Sequence, residues 1–368
     1  MSMTTRTTGI VAAVAGAAVA LGAQGRARRR RLEARFPLRL PGMPLHDPFV
    51  VPDPGSGLYH LYSSNHPELT GDDAVGTMVY RSPDLLHWSL PTVVFRATPD
   101  LWAADGGWAP EVHRWRGRWY LFTTLHDEAA PLSVPVPGGY GTPVATPQHR
   151  RGTVIAAADS LLGPFEVVDP TGPVAPADFM TLDGSLFVDR RRRPWMVYAH
   201  EWLQKIDGTM EAVPLRPDLT GAAGDPVHLF KASDAGWIGR EMPKPSANQI
   251  VPYITDGPQL IRLPGGALAM LWSTYEKNAD QPDGTVSGGY VQTWAISPSG
   301  ELAGPWEQRD PLVREDSGHG MVFRTFGGTP MLIVHRPFTN ARGKLYEIAL
   351  RRDGLRLGRR RDDLDGGD

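Results

Sequence analysis

The sequence predicts an all-β chain closed into a five-bladed β-propeller, and three observations predict it. Short apolar runs rich in β-branched and aromatic residues come in pairs joined by polar turns, the pattern of buried hairpins. Five such hairpins begin at a polar residue, at positions 47, 111, 183, 256 and 319, separated by 64, 72, 73 and 63 residues. Behind each hairpin comes a further apolar run, and most of these lead into a turn rich in Asp, Gly or Pro. Each unit therefore offers about four strands, the content of one propeller blade. An ordinary β-sandwich has no reason to repeat the same order of motifs five times.

The first unit is His46-Asp47-Pro48-Phe49-Val50-Val51, a Pro52-to-Gly57 turn and Tyr59 to Tyr62, followed by Thr77 to Tyr80 and a Ser82-to-Trp88 turn. The second is Ala109-Pro110-Glu111-Val112, a turn at Arg116-Gly117 and Trp119 to Phe122, followed by Gly152 to Ala157. Thr181 to His200 holds the third: Asp183-Gly184, an apolar run to Val188, a basic turn and Trp195 to Tyr198, then Thr209 to Leu215. Asp256-Gly257-Pro258 opens the fourth, which continues through Leu268 to Trp272 and Tyr290 to Ile296. His319-Gly320 opens the fifth, with Met331 to His335 and Tyr346 to Leu350. Residues 41–352 thus form the propeller, between a 1–40 leader and a 353–368 tail.

The chain has 368 residues, 41% of them hydrophobic, enough to bury a large core as one closed all-β domain. Its 41 glycines and 35 prolines punctuate apolar runs, so they read as turns and not as disorder. A formal net charge of −2 argues against nucleic acid as a partner. With no cysteine, disulfides, thiolate metal sites and a cysteine nucleophile are excluded.

Gly9 to Ala23 is apolar and Ala-rich, short for a membrane span and close to a signal-peptide core. The basic block Arg26 to Arg35 behind it resists translocation. Two readings stay open: a secreted or membrane-associated protein, and a disordered leader. The Arg/Asp-rich tail reads as a solvated, flexible end. A monomer is the expectation.

In a propeller the first strand of each blade lines the central channel, so a carboxylate at its start faces a channel mouth. Asp47, Asp183 and Asp256 converge there by this argument. Like charges gathered in one pocket push their proton affinities apart, so that one acid can donate while another accepts. A pair of opposed carboxylates is what glycosidic hydrolysis requires. Glu201 and Glu211 are further acids on the same side. Trp108 and Trp102 offer flat faces suited to the C–H surface of a sugar ring, and His46 stands beside Asp47. His319, between two glycines, can stand on the axis as an ion ligand or as a donor to the acids. The Pro/Gly/Val-rich stretch at 125–151 reads as a pocket rim. There is no Ser-His-Asp arrangement, phosphate loop or His-x-x-x-His signature.

Over residues 45 to 350 the chain resembles glycoside hydrolase family 43. The motifs that carry the resemblance are His46-Asp47-Pro48, Trp108-Ala109-Pro110-Glu111-Val112, Leu182-Asp183-Gly184-Ser185-Leu186-Phe187-Val188, Asp256-Gly257-Pro258 and Gly318-His319-Gly320, with repeated Leu-x-Gly-Pro-aromatic turns. The resemblance implies a five-bladed propeller that cleaves arabinose- or xylose-containing glycans with inversion, as an α-L-arabinofuranosidase or β-xylosidase. It implies Asp47 as general base, Asp183 as the residue that tunes the acid and holds substrate, and His319 as ligand of an axial Ca2+ or similar ion. The family's acid is a glutamate in Glu-Gly-Pro, and here that place is taken by Asp256, one methylene shorter. Three readings follow: Asp256 is the acid, Glu201 or Glu211 has taken its role, or the propeller binds carbohydrate without cleaving it.

Overall fold

The computed structural model describes residues 27, 29–103, 105–132, 148–205, 207–238, 254–276, 279–280, 286–287 and 289–367. Five antiparallel four-stranded sheets are built from strands that follow one another in sequence. Blade 1 is β1 (Phe49–Asp53), β2 (Leu58–Ser64), β3 (Gly76–Ser82) and β4 (Thr92–Arg96). Blade 2 is β5 (Asp105–Trp115), β6 (Arg118–Pro131), β7 (His149–Ala158) and β8 (Glu166–Val167). Blade 3 is β9 (Thr181–Val188), β10 (Pro194–His200), β11 (Thr209–Pro214) and β12 (Val227–Lys231). In blade 4 a small hairpin of β15 (Ala279–Asp280) and β16 (Val286–Ser287) sits between β14 (Leu268–Tyr275) and β17 (Tyr290–Ser297). That blade begins with β13 (Asp256–Arg262) and ends with β18 (Glu307–Gln308). Blade 5 is β19 (Gly318–Arg324), β20 (Pro330–Arg336), β21 (Arg342–Arg351) and β22 (Gly354–Arg360).

The first strand of each blade touches the first strand of the next, and β19 returns to β1, which closes the ring. One core cluster runs through blades 5, 1 and 2 and includes Ile333, Leu61, Met78, Tyr80, Trp88, Leu121 and Val154; another joins blades 3 and 4 through Val197, Met210, Phe230, Met270 and Trp272. Successive residues of the second and third strands are buried, because both faces of each sheet are covered by neighbouring blades. That is why these strands read as continuous apolar runs and not as alternation.

Two boundaries differ from the sequence reading. The expected flexible tail at 353–368 is instead β22, the outer strand of blade 5, followed by a helical turn at Asp362–Asp365. Asp365 is fully buried: Arg360 donates to both its oxygens, and the Leu345 backbone N–H donates to Oδ2 (3.0 Å). The alternating charges that suggested solvation are partners of one another. The propeller also starts before 41, since Leu38 exchanges two backbone hydrogen bonds with Trp88 at the outer edge of blade 1. Near the ring closure, Leu45 N–H donates to Ala341 O (3.1 Å) and Arg342 Nε to Pro41 O (3.0 Å).

The stretch at 125–151 is only partly loop: its two ends extend β6 and β7, and residues 133–147 lie outside the described residues. The apolar segment Gly9 to Ala23 also lies outside them, and residues 29–35 are helical. No helix among the described residues is long and apolar enough to cross a membrane.

Candidate active site

The five blades share a backbone feature at the head of the first strand. Asp47 (φ 47°), Ala109 (φ 46°), Asp183 (φ 59°), Gly257 (φ 57°) and His319 (φ 44°) all adopt left-handed backbone. Such a conformation costs a non-glycine residue about 1–2 kcal/mol, and residues held in it gather at functional sites. What holds it here is the preceding blade. Asp47 N–H points at His335 Nδ1 of blade 5 (3.2 Å), Asp183 N–H donates to Thr124 Oγ1 of blade 2 (2.9 Å) and His319 N–H to Ser273 Oγ of blade 4 (2.7 Å). The ladder breaks into bulges at the heads of β5, β13 and β19, and the side chains turn toward the axis.

This register corrects the sequence alignment at two blades. The blade-2 equivalent of Asp47 and Asp183 is Ala109 and not Glu111, whose carboxylate lies 2.8 Å from His113 Nε2. In blade 4 the equivalent is Gly257, and Asp256 stands one position earlier, level with His46 and Trp108. A side chain at 257 would meet the His319 ring at 2.8 Å, so glycine is required there on two counts.

The acids then meet around His319. Its Nδ1 lies 3.1 Å from Asp47 Oδ1 and 3.7 Å from Asp183 Oδ2. His335 Nδ1 lies 3.2 Å from the same Asp47 oxygen. Gly257 N–H donates to Asp183 Oδ2 (3.0 Å), and the Tyr290 hydroxyl donates to Asp256 Oδ2 (2.9 Å). Tyr290 stacks on His335 with ring centroids 5.5 Å apart and meets Phe338 edge-on.

The proton affinities diverge as crowding demands. Burial opposes ionisation of Asp47, but the imidazoles of His319, His335 and His46 outweigh it and hold its carboxyl well below the usual carboxylate range. For Asp183, burial wins over the attraction of His319, Asp47 adds repulsion, and the carboxyl is pushed up to about 7. Asp256 is raised well above its ordinary value by burial and by the charge of Asp183. Burial works against charge on His319, yet the surrounding carboxylates, Asp47 first, lift it to about 9. At neutral pH the cluster holds an ionised Asp47, an Asp183 divided between its two forms, an Asp256 inclined to keep its proton and a His319 imidazolium.

These groups open into a cavity of about 410 Å³ walled by His46, Asp47, Asn65, His66, Trp108, Asp183, Asp256, Tyr290, His319 and Phe338. A larger space of about 790 Å³ is walled by Val50, Val112, Leu186, Leu260 and Val322 of the inner strands, and no carboxylate lines it. Size does not mark the site; charge does.

Not every sequence candidate arrives. His46 and Trp108 line the cavity. Trp102 does not: it packs against the core of blades 1 and 2, with Arg150 over its ring. Glu211 is enclosed in blade 3, where Tyr198, Thr209 and His200 surround its carboxylate at 2.8–3.1 Å. Glu201 is 1% exposed and in contact with Arg151. Sequence reasoning missed Tyr290, Phe338, Asn65 and His66. The polar triplet Ser64-Asn65-His66 closing an apolar strand was a usable signal; Phe338, beyond the fifth hairpin, had none.

Comparison with known proteins follows the same lines. The family model for glycosyl hydrolases family 43 matches residues 43–359. No curated protein matches. Among solved structures, the endo-arabinase from Bacteroides thetaiotaomicron is 33% identical at a TM-score of 0.70, over 87% of this chain and 99% of that one. The endo-1,4-beta-xylanase from the same organism (20% identity, TM-score 0.63, 86% and 95% covered) shares the fold. So does the exo-1,5-alpha-L-arabinanase from a bovine ruminal metagenomic library (17%, TM-score 0.56, 86% and 97% covered). The chain belongs to glycosyl hydrolases family 43, and it is a glycosidase built on a five-bladed β-propeller.

Proposed function

We propose that the protein hydrolyses glycosidic bonds in arabinose- or xylose-containing glycans, with inversion at the anomeric carbon. The observation that carries this reading is the division of proton affinity within one cavity, Asp47 held ionised and Asp256 held protonated. Asp47 would act as general base, taking a proton from the attacking water. Asp256 would protonate the leaving oxygen, with Tyr290 donating to Oδ2 and leaving Oδ1 for the transferable proton. Asp183 would hold substrate and keep the Asp256 proton affinity high through its neighbouring charge. Trp108 would stack on the sugar, with His46 beside it. The likeness to an endo-arabinase favours arabinose over xylose as the sugar recognised.

A calcium ion on the axis would fit only one side of His319. Nδ1 faces Asp47, so Nε2 would hold the ion, giving up the proton it carries in the imidazolium, with water completing the shell. Bound there, calcium would supply positive charge beneath the carboxylates. Chelation should lower the melting temperature and activity together, and added Ca2+ should restore both.

The test is hydrolysis of α-L-arabinofuranosides, β-D-xylosides and linear arabinan, with the first product anomer read by NMR. Inverted product is expected. A retained anomer appearing first would refute the mechanism, and tight oligosaccharide binding without cleavage would replace the enzyme with a lectin-like propeller.

A further inference from the structure

Beside the cavity, between blades 2 and 3, lies a charged group that the proposed chemistry does not use. Arg151 of β7 has a side chain only 9% exposed, and its Nη1 contacts Glu201 Oε1. A guanidinium can only donate, so the 3.0 Å contact from Nη2 makes His149 Nε2 an acceptor. Among the described residues, Arg151 Nε and Glu201 Oε2 find no hydrogen-bond partner. A buried ion pair left half satisfied is a poor source of stability, because desolvation cancels most of its attraction. The pair therefore needs another reason to be there.

That reason lies on its far side. The Arg151 guanidinium carbon sits 4.9 Å from the centroid of the Trp108 ring, and His126 lies against the same ring at 4.4 Å. Trp108 is the exposed member of the group, 37% accessible, and lines the same cavity as the acids. Its backbone is fixed as well, with Thr123 Oγ1 donating to its carbonyl (2.9 Å). An exposed indole unsupported at its ring would swing between rotamers and pay that freedom back on binding. A planar cation against the ring removes the freedom beforehand.

We propose that Arg151, itself held by Glu201, is a positioning residue that fixes the Trp108 indole as the stacking wall of the sugar site. The inference rests on Trp108 being that wall. It gives Glu201 a role as anchor of the clamp, in place of proton donor.

The test uses the full chain labelled with 5-fluorotryptophan, the Trp108 resonance being assigned through Trp108→Phe. Arg151→Met combined with Glu201→Gln removes both charges, so no buried charge is left alone; Arg151→Lys keeps the pair charged if the double variant fails to fold. The expected result is a shifted or broadened Trp108 fluorine signal, with the signals of distant tryptophans unmoved. On the aryl glycoside that wild type turns over fastest, KM should rise about 10-fold, with kcat within about 2-fold. In a Trp108→Ala background the same changes should raise KM no further. An unmoved Trp108 signal, or a KM increase that adds to that of Trp108→Ala, overturns the clamp. If the signal moves as expected while Trp108→Ala leaves KM untouched, the clamp stands and the stacking role of Trp108 falls.

Discussion

Asp256 and Glu201 are both acids whose carboxyls are raised by burial, yet they stand in opposite relation to the cavity. Asp256 opens onto it, takes a hydrogen bond from the neutral hydroxyl of Tyr290 and is repelled by the charge of Asp183. Glu201 is sealed behind the wall, in contact with a guanidinium that favours its ionised form. Burial alone therefore does not make a proton donor. Access to the substrate and the charge of the nearest partner decide, and both favour Asp256 despite its shorter side chain.

The largest effect that separates the two regions is expected at the axis. Asp47→Asn should lower turnover by about 10²–10⁴-fold with the fold and KM kept, whereas no change around Glu201 should approach that loss in kcat. Glu201→Gln should act on stability, since Arg151 is left without its charge partner. Breaking a buried pair costs about 3–5 kcal/mol, readable as an earlier denaturation midpoint; an unchanged midpoint would mean that the pair is not closed in as described. The pH profile sharpens the same contrast. Asp256, raised well above its ordinary value by burial and by the charge of Asp183, must keep its proton for the acid step, so kcat/KM should hold through the acidic range and fall only as rising pH takes that proton away. Asp47, held low, should leave no acid limb in the mildly acidic range. Glu201→Gln should keep this profile, and Asp256→Asn should lose its alkaline fall. The smallest effect is expected at Gly257→Ala, where left-handed backbone costs about 1–2 kcal/mol and the new methyl presses on His319; a variant as stable and as active as wild type would show that the head of blade 4 is looser than the others.

The five-blade plan was legible because each blade is contiguous in sequence and buried on both faces, so its strands appear as apolar runs at regular spacing. Asp47, Asp183, His319, His46 and Trp108 were legible for the same reason, each heading a run. What failed depended on register. Glu111 was aligned with Asp47 because it was the nearest polar residue, but a bulge places Ala109 there. The signal for that register sat one strand further on, in the hydroxyl residues Ser63-Ser64, Thr123-Thr124 and Ser273-Thr274, some of which hold the next blade's head. Trp102 and Glu211 were drawn toward the cavity by residue type alone, and each is taken up by a neighbour no pattern reveals. The tail was misread because Asp365 and Arg360 look solvated until the chain brings them together.

The claim that Asp256 and not Glu201 delivers the proton is tested most directly by leaving-group dependence. Wild type, Asp256→Asn and Glu201→Gln are compared on one sugar carrying either an alkyl or a nitrophenyl leaving group. Asp256→Asn should lose about 10²–10⁴-fold on the alkyl glycoside and far less on the nitrophenyl one, which departs without a proton, while Glu201→Gln should change both rates by the same factor. The opposite pattern, a selective loss on the poor leaving group in Glu201→Gln and a uniform loss in Asp256→Asn, would contradict the account.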